Sequence, residues 1–481
     1  MLKKIFSSTI LFSIGGLLPT MASLVLLLPY TQNLTIADYG ALSIYISFTL
    51  LLQIIVNFGV DVFIPIHHYE YQDDIVKMRK FVGTILTVVL AISLLSILIM
   101  LLSGNFLFEH IFQHKNISFF PFGFMCVVTA VFNAIFKIYT TFLIYRQKPW
   151  KFLWFNLFNF VLTVIISLIG LYLYPNTLIG PIWGRLLSGV GIFVLSMYFF
   201  ISEFGICFDS TMLKGFRKFC VPVLLFGILT WILSYINNYI LNATDTISDV
   251  GVYDFAIKCT LLIEFSQNGL TSAIAPKIYQ MWKDTGITKS TVAENKFHHL
   301  FALVTILIVA VNILTLPIIV PILVKKQAYH AAFQYLPLIC CGFLFRGIYN
   351  LYVFPIYYFK KTHLLPKLVL VSAILQIILG IYLTKTFGIW GAISTTVFIK
   401  GTQVIILWFG SRKIFDYHFN IFKMIMMPLL YIVTIIVVYF VFHFDNYWAP
   451  GIIQFLFAII IILIVFRNEI KQVPSLLKTN S

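Results

Sequence analysis

Charge is what this sequence has least of. Only 10% of its 481 residues are charged and 17 are acidic, while 60% are hydrophobic and the mean hydropathy is +0.97. No soluble core can hide that much apolar surface, so a water-soluble globular domain is excluded. Long polar connections are also missing, which excludes a folded extramembrane domain. No Gly-x-x-x-x-Gly-Lys-Ser/Thr loop is present, because Gly286-Ile287-Thr288-Lys289-Ser290 lacks the first glycine at that spacing. Direct ATP drive by this chain is thereby excluded. The six cysteines are dispersed, Cys207 in a connection and the rest in apolar runs, and the adjacent Cys340-Cys341 has no histidine cluster beside it. Neither an exported disulfide nor a metal site follows from them, and nothing calls for a cofactor.

What the chain does have is apolar runs near the length of about 20 residues that crosses a hydrocarbon core. They fall at about 9–29, 41–65, 81–103, 118–142, 152–174, 180–201 and 219–240. Seven more follow at about 251–273, 299–324, 332–356, 364–384, 389–410, 422–444 and 449–466. In lipid such runs are helices, because an open strand edge leaves backbone groups unpaired. The expected class is an all-α polytopic membrane protein with about 14 transmembrane helices. Lys3 and Lys4 flank the first run, which has no small-residue cleavage site and is read as a retained helix.

The net charge of +16 invites a nucleic-acid reading, but the cations are sorted by side rather than gathered in a patch. With the N-terminus taken as cytoplasmic, 24 lysines and arginines fall in predicted cytoplasmic segments, against 4 opposite them: Lys115, Lys325, Lys326 and Lys385. That is the asymmetry the positive-inside rule demands. It supports fourteen spans, puts both termini in the cytoplasm and removes nucleic acid as a partner. The longest cytoplasmic connection, 274–298, reads equally as a helix lying on the membrane surface or as a solvated linker. His67-His68 and His298-His299 fall at predicted cytoplasmic helix ends.

The chain also repeats itself. Thr35-Ile36-Ala37-Asp38-Tyr39-Gly40 returns as Thr246-Ile247-Ser248-Asp249-Val250-Gly251, 211 residues later. Phe136-Lys137-Ile138-Tyr139 is answered by Phe345-Arg346-Gly347-Ile348-Tyr349 at an offset of 209, and Trp183-Gly184 by Trp390-Gly391 at 207. Matches clustered near one offset mark two homologous halves: an N-lobe at 1–205 and a C-lobe at 206–412, followed by two helices and a cytoplasmic tail at 413–481. Six spans per lobe is an even number, so the repeats are parallel and a cavity is expected between them.

Five cations are left inside the spans: Lys137, Arg185, Lys258, Arg346 and Lys400. Each costs about 2.5–3.5 kcal/mol at a helix centre and is tolerated only where it faces protein or water. Helical spacing places Asn133 on the face of Lys137, Asn350 on that of Arg346, and Thr396 and Gln403 on that of Lys400. A cationic cavity implies an anionic substrate, and phosphate is the anion that Arg and Lys neutralise most readily. The plainer alternatives are that Lys137 and Arg185 snorkel to an interface and that Lys258 only pairs with Asp254 at i,i+4. Gln53, Asn57 and Asp61 form an i+4 stripe on the second span. Asp61 and Glu264 are candidates for ion coupling, since burial can raise a carboxylate into the range where it exchanges protons. Hydrogen bonding to a neighbour is the simpler reading of both.

Two six-helix lobes with two appended helices, the Ala37-Asp38-Tyr39-Gly40 turn and the Gly388-Ile389-Trp390-Gly391-Ala392 start of the twelfth span resemble the bacterial polysaccharide flippases. These are the Wzx-type exporters of O-antigen and exopolysaccharide, in the superfamily that also holds multidrug-and-toxin exporters and lipid II flippases. The likeness covers essentially the whole chain and rests on architecture more than on signature residues. It implies a MATE-like fold, no enzymatic activity and residence in the bacterial inner membrane. It further implies that an undecaprenyl-diphosphate-linked oligosaccharide is moved from the cytoplasmic to the periplasmic leaflet by alternating access of the lobes. In that picture Arg346, Lys400, Lys258, Arg185 and Lys137 attract the diphosphate, and Gln53, Asn57, Asn133, Asn350 and Gln403 face the glycan. The lipid tail trails in membrane lipid, and a polysaccharide polymerase and a chain-length regulator are the implied partners.

Three other readings compete. A multidrug exporter of the same superfamily places acids in its cavity, whereas here five in-span cations face three acids. A twelve-span facilitator carries a charged loop motif that His67 to Lys80 lack. A membrane polysaccharide polymerase needs a long exported loop.

Overall fold

The computed structural model describes residues 2–71, 74–112, 117–285, 287–359, 361, 364–411, 420–442, 444 and 448–469. The expected tail with Lys471 and Lys478, and Lys115, Lys360, Arg412 and Lys413, lie outside them, as do the side chains of Lys3, Lys4, His68 and Lys289. Among the described residues every regular element is helical, and 13 helical segments are long and apolar enough to cross a membrane. They coincide with all the expected runs except 251–273. That run falls on two helices, Ile247–Cys259 and Leu261–Thr285, separated at Thr260. There the Thr260 hydroxyl bonds back to the Ile257 carbonyl at 2.7 Å, and the Thr260 and Ile263 amides make three-residue bonds in place of the α-helical ladder.

The chain folds as two compact units, Met1–Gly251 and Val252–Ser481. Compactness and sequence repetition are different properties, and the unit boundary at Gly251 does not coincide with the expected lobe boundary at 205. The first unit contains α1 (Leu2–Asn33), α2 (Ile36–Asn57), α3 (Val60–Tyr71), α4 (Ile75–Ile111), α5 (Phe124–Tyr145), α6 (Pro149–Leu173), α7 (Ile179–Phe204), α8 (Phe216–Thr244) and the first turn of α9 (Ile247–Cys259). Here α6 lies against α1 and α7, α5 against α2 and α7, and α8 against α2. Polar bonds stitch the last pair: Asn238 donates to the Ser43 hydroxyl at 2.9 Å and the Trp231 indole to the Ser47 carbonyl at 2.8 Å.

The recurring Thr-Ile-x-Asp-x-Gly has a structural cause. Thr35 caps α2, accepting the Asp38 amide at 3.1 Å and donating to the Asp38 carboxylate at 2.5 Å. Thr246 and Asp249 repeat the arrangement at 3.2 and 2.5 Å. Each threonine thereby satisfies an amide that a helix start leaves unpaired. The glycines complete the motif by letting the two copies touch. A Cβ on Gly40 would lie 2.1 Å from the Ile247 carbonyl oxygen, and one on Gly251 would lie 2.2 Å from that of Ile36. The contact is reciprocal, and only glycine fits it from either side.

The i+4 stripe through Gln53, Asn57 and Asp61 is interrupted. Phe58 and Gly59 take positive φ values of 48° and 75°, ending α2 and starting α3 in a new direction. Gly59 supplies the left-handed geometry without a Cβ penalty, and it sits against Val223 and the Cys220 carbonyl of α8. Asp61 therefore belongs to the first turn of a separate helix.

The second unit continues with α10 (Leu261–Thr285), α11 (Ile287–Leu323), α12 (Leu336–Tyr358), α13 (Leu364–Phe387), α14 (Ile389–Ser411), α15 (Met427–Ile436) and α16 (Trp448–Val465). In it α11 packs on α10, α12 and α16, and α14 on α12 and α13. The connection at 274–298 is not a solvated linker. Ile278 and Trp282 are buried with Leu351 and Phe354 in one apolar cluster, so α10 is anchored through its C-terminal half. Nor do His298 and His299 end a helix, because α11 already starts at Ile287 and both rings are buried inside it. Glu469 binds His299 Nδ1 and Lys423 Nζ, each at 2.7 Å, tying α11 to the chain beyond α16. All six cysteines are free.

Candidate functional site

A polar cluster lies in the second unit, where α12 packs against both α10 and α14. The Arg346 guanidinium on α12 donates from Nη2 to Asn268 Oδ1 of α10 at 3.1 Å. One turn on, Asn350 donates to Thr271 at 3.1 Å. Both partners come from successive turns of α10, so the Arg346/Asn350 face predicted from spacing is held along that helix. Gln267, 2% exposed, fixes the same pair of helices by donating to the Phe343 carbonyl at 2.9 Å. Lys400 of α14 places Nζ 4.5 Å from the centroid of the Phe343 ring, where the ring face stabilises a cation. Its stem runs past Gly342, where a Cβ would lie 3.1 Å from Lys400 Cδ. Glu264, exposed in the first turn of α10, and Arg346 are within electrostatic reach of Lys400.

Arg346 is incompletely satisfied. Its Nε is buried and has no hydrogen-bond partner among the described residues. Burying a charged donor without an acceptor is costly, so an anion reaching this guanidinium would relieve a cost the fold already bears.

In the first unit one cation is matched by an acid and another is left like Arg346. Lys137 of α5 forms an ion pair with Asp61 of α3 at 2.9 Å, with the lysine side chain 48% exposed. Asn133 is half-buried one turn earlier, while Asn57 is buried, with an Oδ1 that has no partner among the described residues. Arg185 of α7 lies near the buried Cys126, and its Nε too is buried without a partner. In the second unit Lys258 meets Asp254 at 2.6 Å within α9, the local i,i+4 pair foreseen as the plainer reading. Thr396 spends its hydroxyl on the Ala392 carbonyl of its own helix. Gln403 and Gln53 are half-buried.

The structure thus joins Arg346, Asn350, Lys400 and Glu264 in one cluster and Asp61 with Lys137 in another. Sequence reasoning missed Gln267, Asn268 and Thr271. Their signal was present: the segment from Glu264 to Ser272 puts five polar side chains after the acid in an otherwise apolar run.

A family described as polysaccharide biosynthesis protein matches residues 5–282 of the 481. The chain belongs to that family. A protein of the Lsg locus of Haemophilus influenzae is 21% identical to this family member over 393 residues, covering 80% of this chain and 92% of its own. Among solved structures, the lipid II flippase MurJ in an inward closed conformation superposes with a TM-score of 0.73 at 18% identity, covering 96% of this chain and 99% of that one. An inward-facing multidrug resistance MATE family transporter of the MOP superfamily gives 0.63 at 14% identity, covering 81% and 94%. A MOP superfamily transporter from Pyrococcus furiosus, described as having a binding pocket of reverse polarity, gives 0.56 at 13%, covering 85% and 95%. At these identities the likeness establishes a shared all-α transporter fold.

Proposed function

We propose that this polysaccharide biosynthesis family member is a flippase for a lipid-linked oligosaccharide, moving undecaprenyl-diphosphate-linked repeat units from the cytoplasmic to the periplasmic leaflet of a bacterial inner membrane. The observation that carries the reading is the Arg346 cluster: a partly unsatisfied guanidinium and a lysine held on an aromatic face, both on helices long and apolar enough to span a membrane, with a row of amides beside them. Diphosphate suits the cations, and glycan hydroxyls suit Asn268, Asn350 and Gln403. Family membership and the fold shared with a lipid II flippase support the same class of cargo.

In this proposal the lobes at 1–205 and 206–412 alternate access, both termini are cytoplasmic, and the helices beyond residue 412, α15 and α16, are an addition to the repeat. Arg185, Lys137 and Lys258 assist in drawing the anion. Asp61 and Glu264 exchange ions, and a polymerase with a chain-length regulator receives the product. Deleting the gene in its own host tests the reading. Complete diphosphate-linked repeat units are expected to accumulate on the cytoplasmic face with loss of surface polymer. Normal polymer with altered drug sensitivity would overturn it in favour of multidrug export.

A further inference from the structure

The connection between α5 and α6 concentrates cations that the transport proposal leaves unused. Arg146 closes α5, Lys148 precedes Pro149 at the first position of α6, and Lys151 follows within the first turn. One carboxylate serves two of them. Glu203, near the end of α7, accepts from Arg146 on Oε2 and from Lys151 on Oε1 at 2.9 Å, so both of its oxygens are taken. Those two cations are further pinned by aromatic rings: Lys151 Nζ lies 3.7 Å from the Phe199 centroid, and the Arg146 guanidinium sits over Phe142 and Phe204. Lys148 has no ion-pair partner among the described residues. Burial first, then repulsion from Arg146 and Lys151, hold its ammonium below the ordinary lysine value, while Glu203 offsets part of that. Three positive charges against one negative leave a surplus of two on a turn that the charge asymmetry assigns to the cytoplasmic side.

The same turn stands at the head of an unpartnered apolar stripe. Trp150 and Trp154 are 61% and 63% exposed, and Phe158, Ile165, Ile169 and Tyr172 continue the exposed face down α6. The opposite face, with Phe152 and Phe155, is buried in the core of the unit. At 1.5 Å per residue the 25 residues of α6 span about 37 Å, and the aromatic rings at its two ends match the interfacial belts of a bilayer. Trp150 thus sets the headgroup level, and Lys148 lies just beyond it. No charged residue interrupts the stripe between Lys151 and Tyr172, so it suits acyl chain and offers a glycan nothing to bind.

We propose that Arg146, Lys148 and Lys151 hold the phosphate of an anionic phospholipid of the surrounding membrane, whose acyl chain lies along the Trp150–Tyr172 face of α6. The bound phosphate supplies the negative charge that Glu203 alone cannot, and Lys148 is the cation free to receive it. This site is separate from the Arg346 cluster and stands whether or not the chain flips an oligosaccharide.

The test uses the full chain purified in mixed micelles of phosphatidylglycerol and phosphatidylcholine, with retained lipid counted by native mass spectrometry. The wild type is expected to retain phosphatidylglycerol in preference. Lys148→Glu is expected to lower that preference by about fivefold or more, since one basic residue near an anionic headgroup contributes roughly that factor. Lys148→Arg is expected to keep it, and an unchanged melting temperature in both variants separates lipid binding from folding. Equal retention of the two lipids by the wild type, or an undiminished preference in Lys148→Glu, would overturn the proposal. So would displacement of the retained phosphatidylglycerol by equimolar undecaprenyl diphosphate in the wild type alone, which would assign the turn to a transported lipid.

Discussion

Lys137 and Arg346 lie 209 residues apart, near the offset at which the sequence echoes itself, and each meets a polar residue from a neighbouring helix: Asp61 and Asn268, 207 residues apart. The two arrangements are alike and their chemistry is not. An acid cancels the lysine in the first unit, whereas an amide orients the arginine in the second and leaves its charge intact. Lys400 adds another cation to the second cluster, with Glu264 acting on it from α10. One difference between two similar positions, acid against amide, sets how much uncompensated positive charge each offers to an anion.

The largest effect expected from this difference is on Arg346→Ala. A hydrogen bond to a charged group contributes about 1.5–3 kcal/mol, which corresponds to roughly 10- to 150-fold slower flipping of a lipid-linked oligosaccharide in proteoliposomes. Lys137→Ala, whose charge is already matched, is expected to slow the same assay by much less. Equal losses from both variants would break the comparison.

Where the two copies are alike, paired variants are expected to agree. Gly40→Ala drives a methyl onto the Ile247 carbonyl and Gly251→Ala drives one onto that of Ile36. Each is expected to cost about 1–3 kcal/mol, the usual range for overpacking, read as a lower melting temperature of the purified chain. An unchanged melting temperature in either variant would mean that the helix starts separate without penalty.

Much of this was legible in the sequence because hydropathy is local. Thirteen spans follow from runs of apolar residues, while the recurring Thr-Ile-x-Asp-x-Gly, expected as a turn between spans, is a helix start capped by Thr35 and Thr246 with Ala37 to Gly40 already inside α2. The failures are equally physical. The break at Thr260 and the change of direction at Gly59 depend on backbone torsion, which hydropathy does not record, so 251–273 reads as one span and Gln53, Asn57 and Asp61 read as one stripe. The counter-ion of Lys137 and the amide partner of Arg346 sit 76 and 78 residues away in the chain. Periodicity ranks residues by helix face but cannot say which face of another helix they meet. The repeat offset is the one signal in the sequence that crosses such a distance, and it relates Asp61 to Asn268 as closely as it relates Lys137 to Arg346.

Converting each pair into the other sharpens the comparison. Asn268→Asp gives the second unit the first unit's chemistry, cancelling Arg346 while keeping a partner in place. About tenfold slower flipping is expected, the equivalent of one charge-assisted interaction of about 1.4 kcal/mol, with the melting temperature preserved because an ion pair replaces the hydrogen bond. Undiminished flipping would show that the free charge of Arg346 is not what binds the cargo.

The reverse exchange, Asp61→Asn, is expected to do least. The lysine of that pair is 48% exposed, and an ion pair so accessible to solvent contributes about 1 kcal/mol or less, so stability should barely change. Lys137 would then resemble Arg346, an amide-oriented cation with its charge released, and affinity for a diphosphate should rise slightly or hold. The variant also separates two roles for Asp61. If the carboxylate is a counter-ion, flipping survives its removal, and Lys137→Met restores the same neutrality by another route. If it exchanges protons during transport, Asp61→Asn stops flipping outright and Lys137→Met in the same background brings nothing back. A complete loss would therefore make the first unit the energised half and the second the half that holds the cargo, with the same duplicated pair divided between the two tasks.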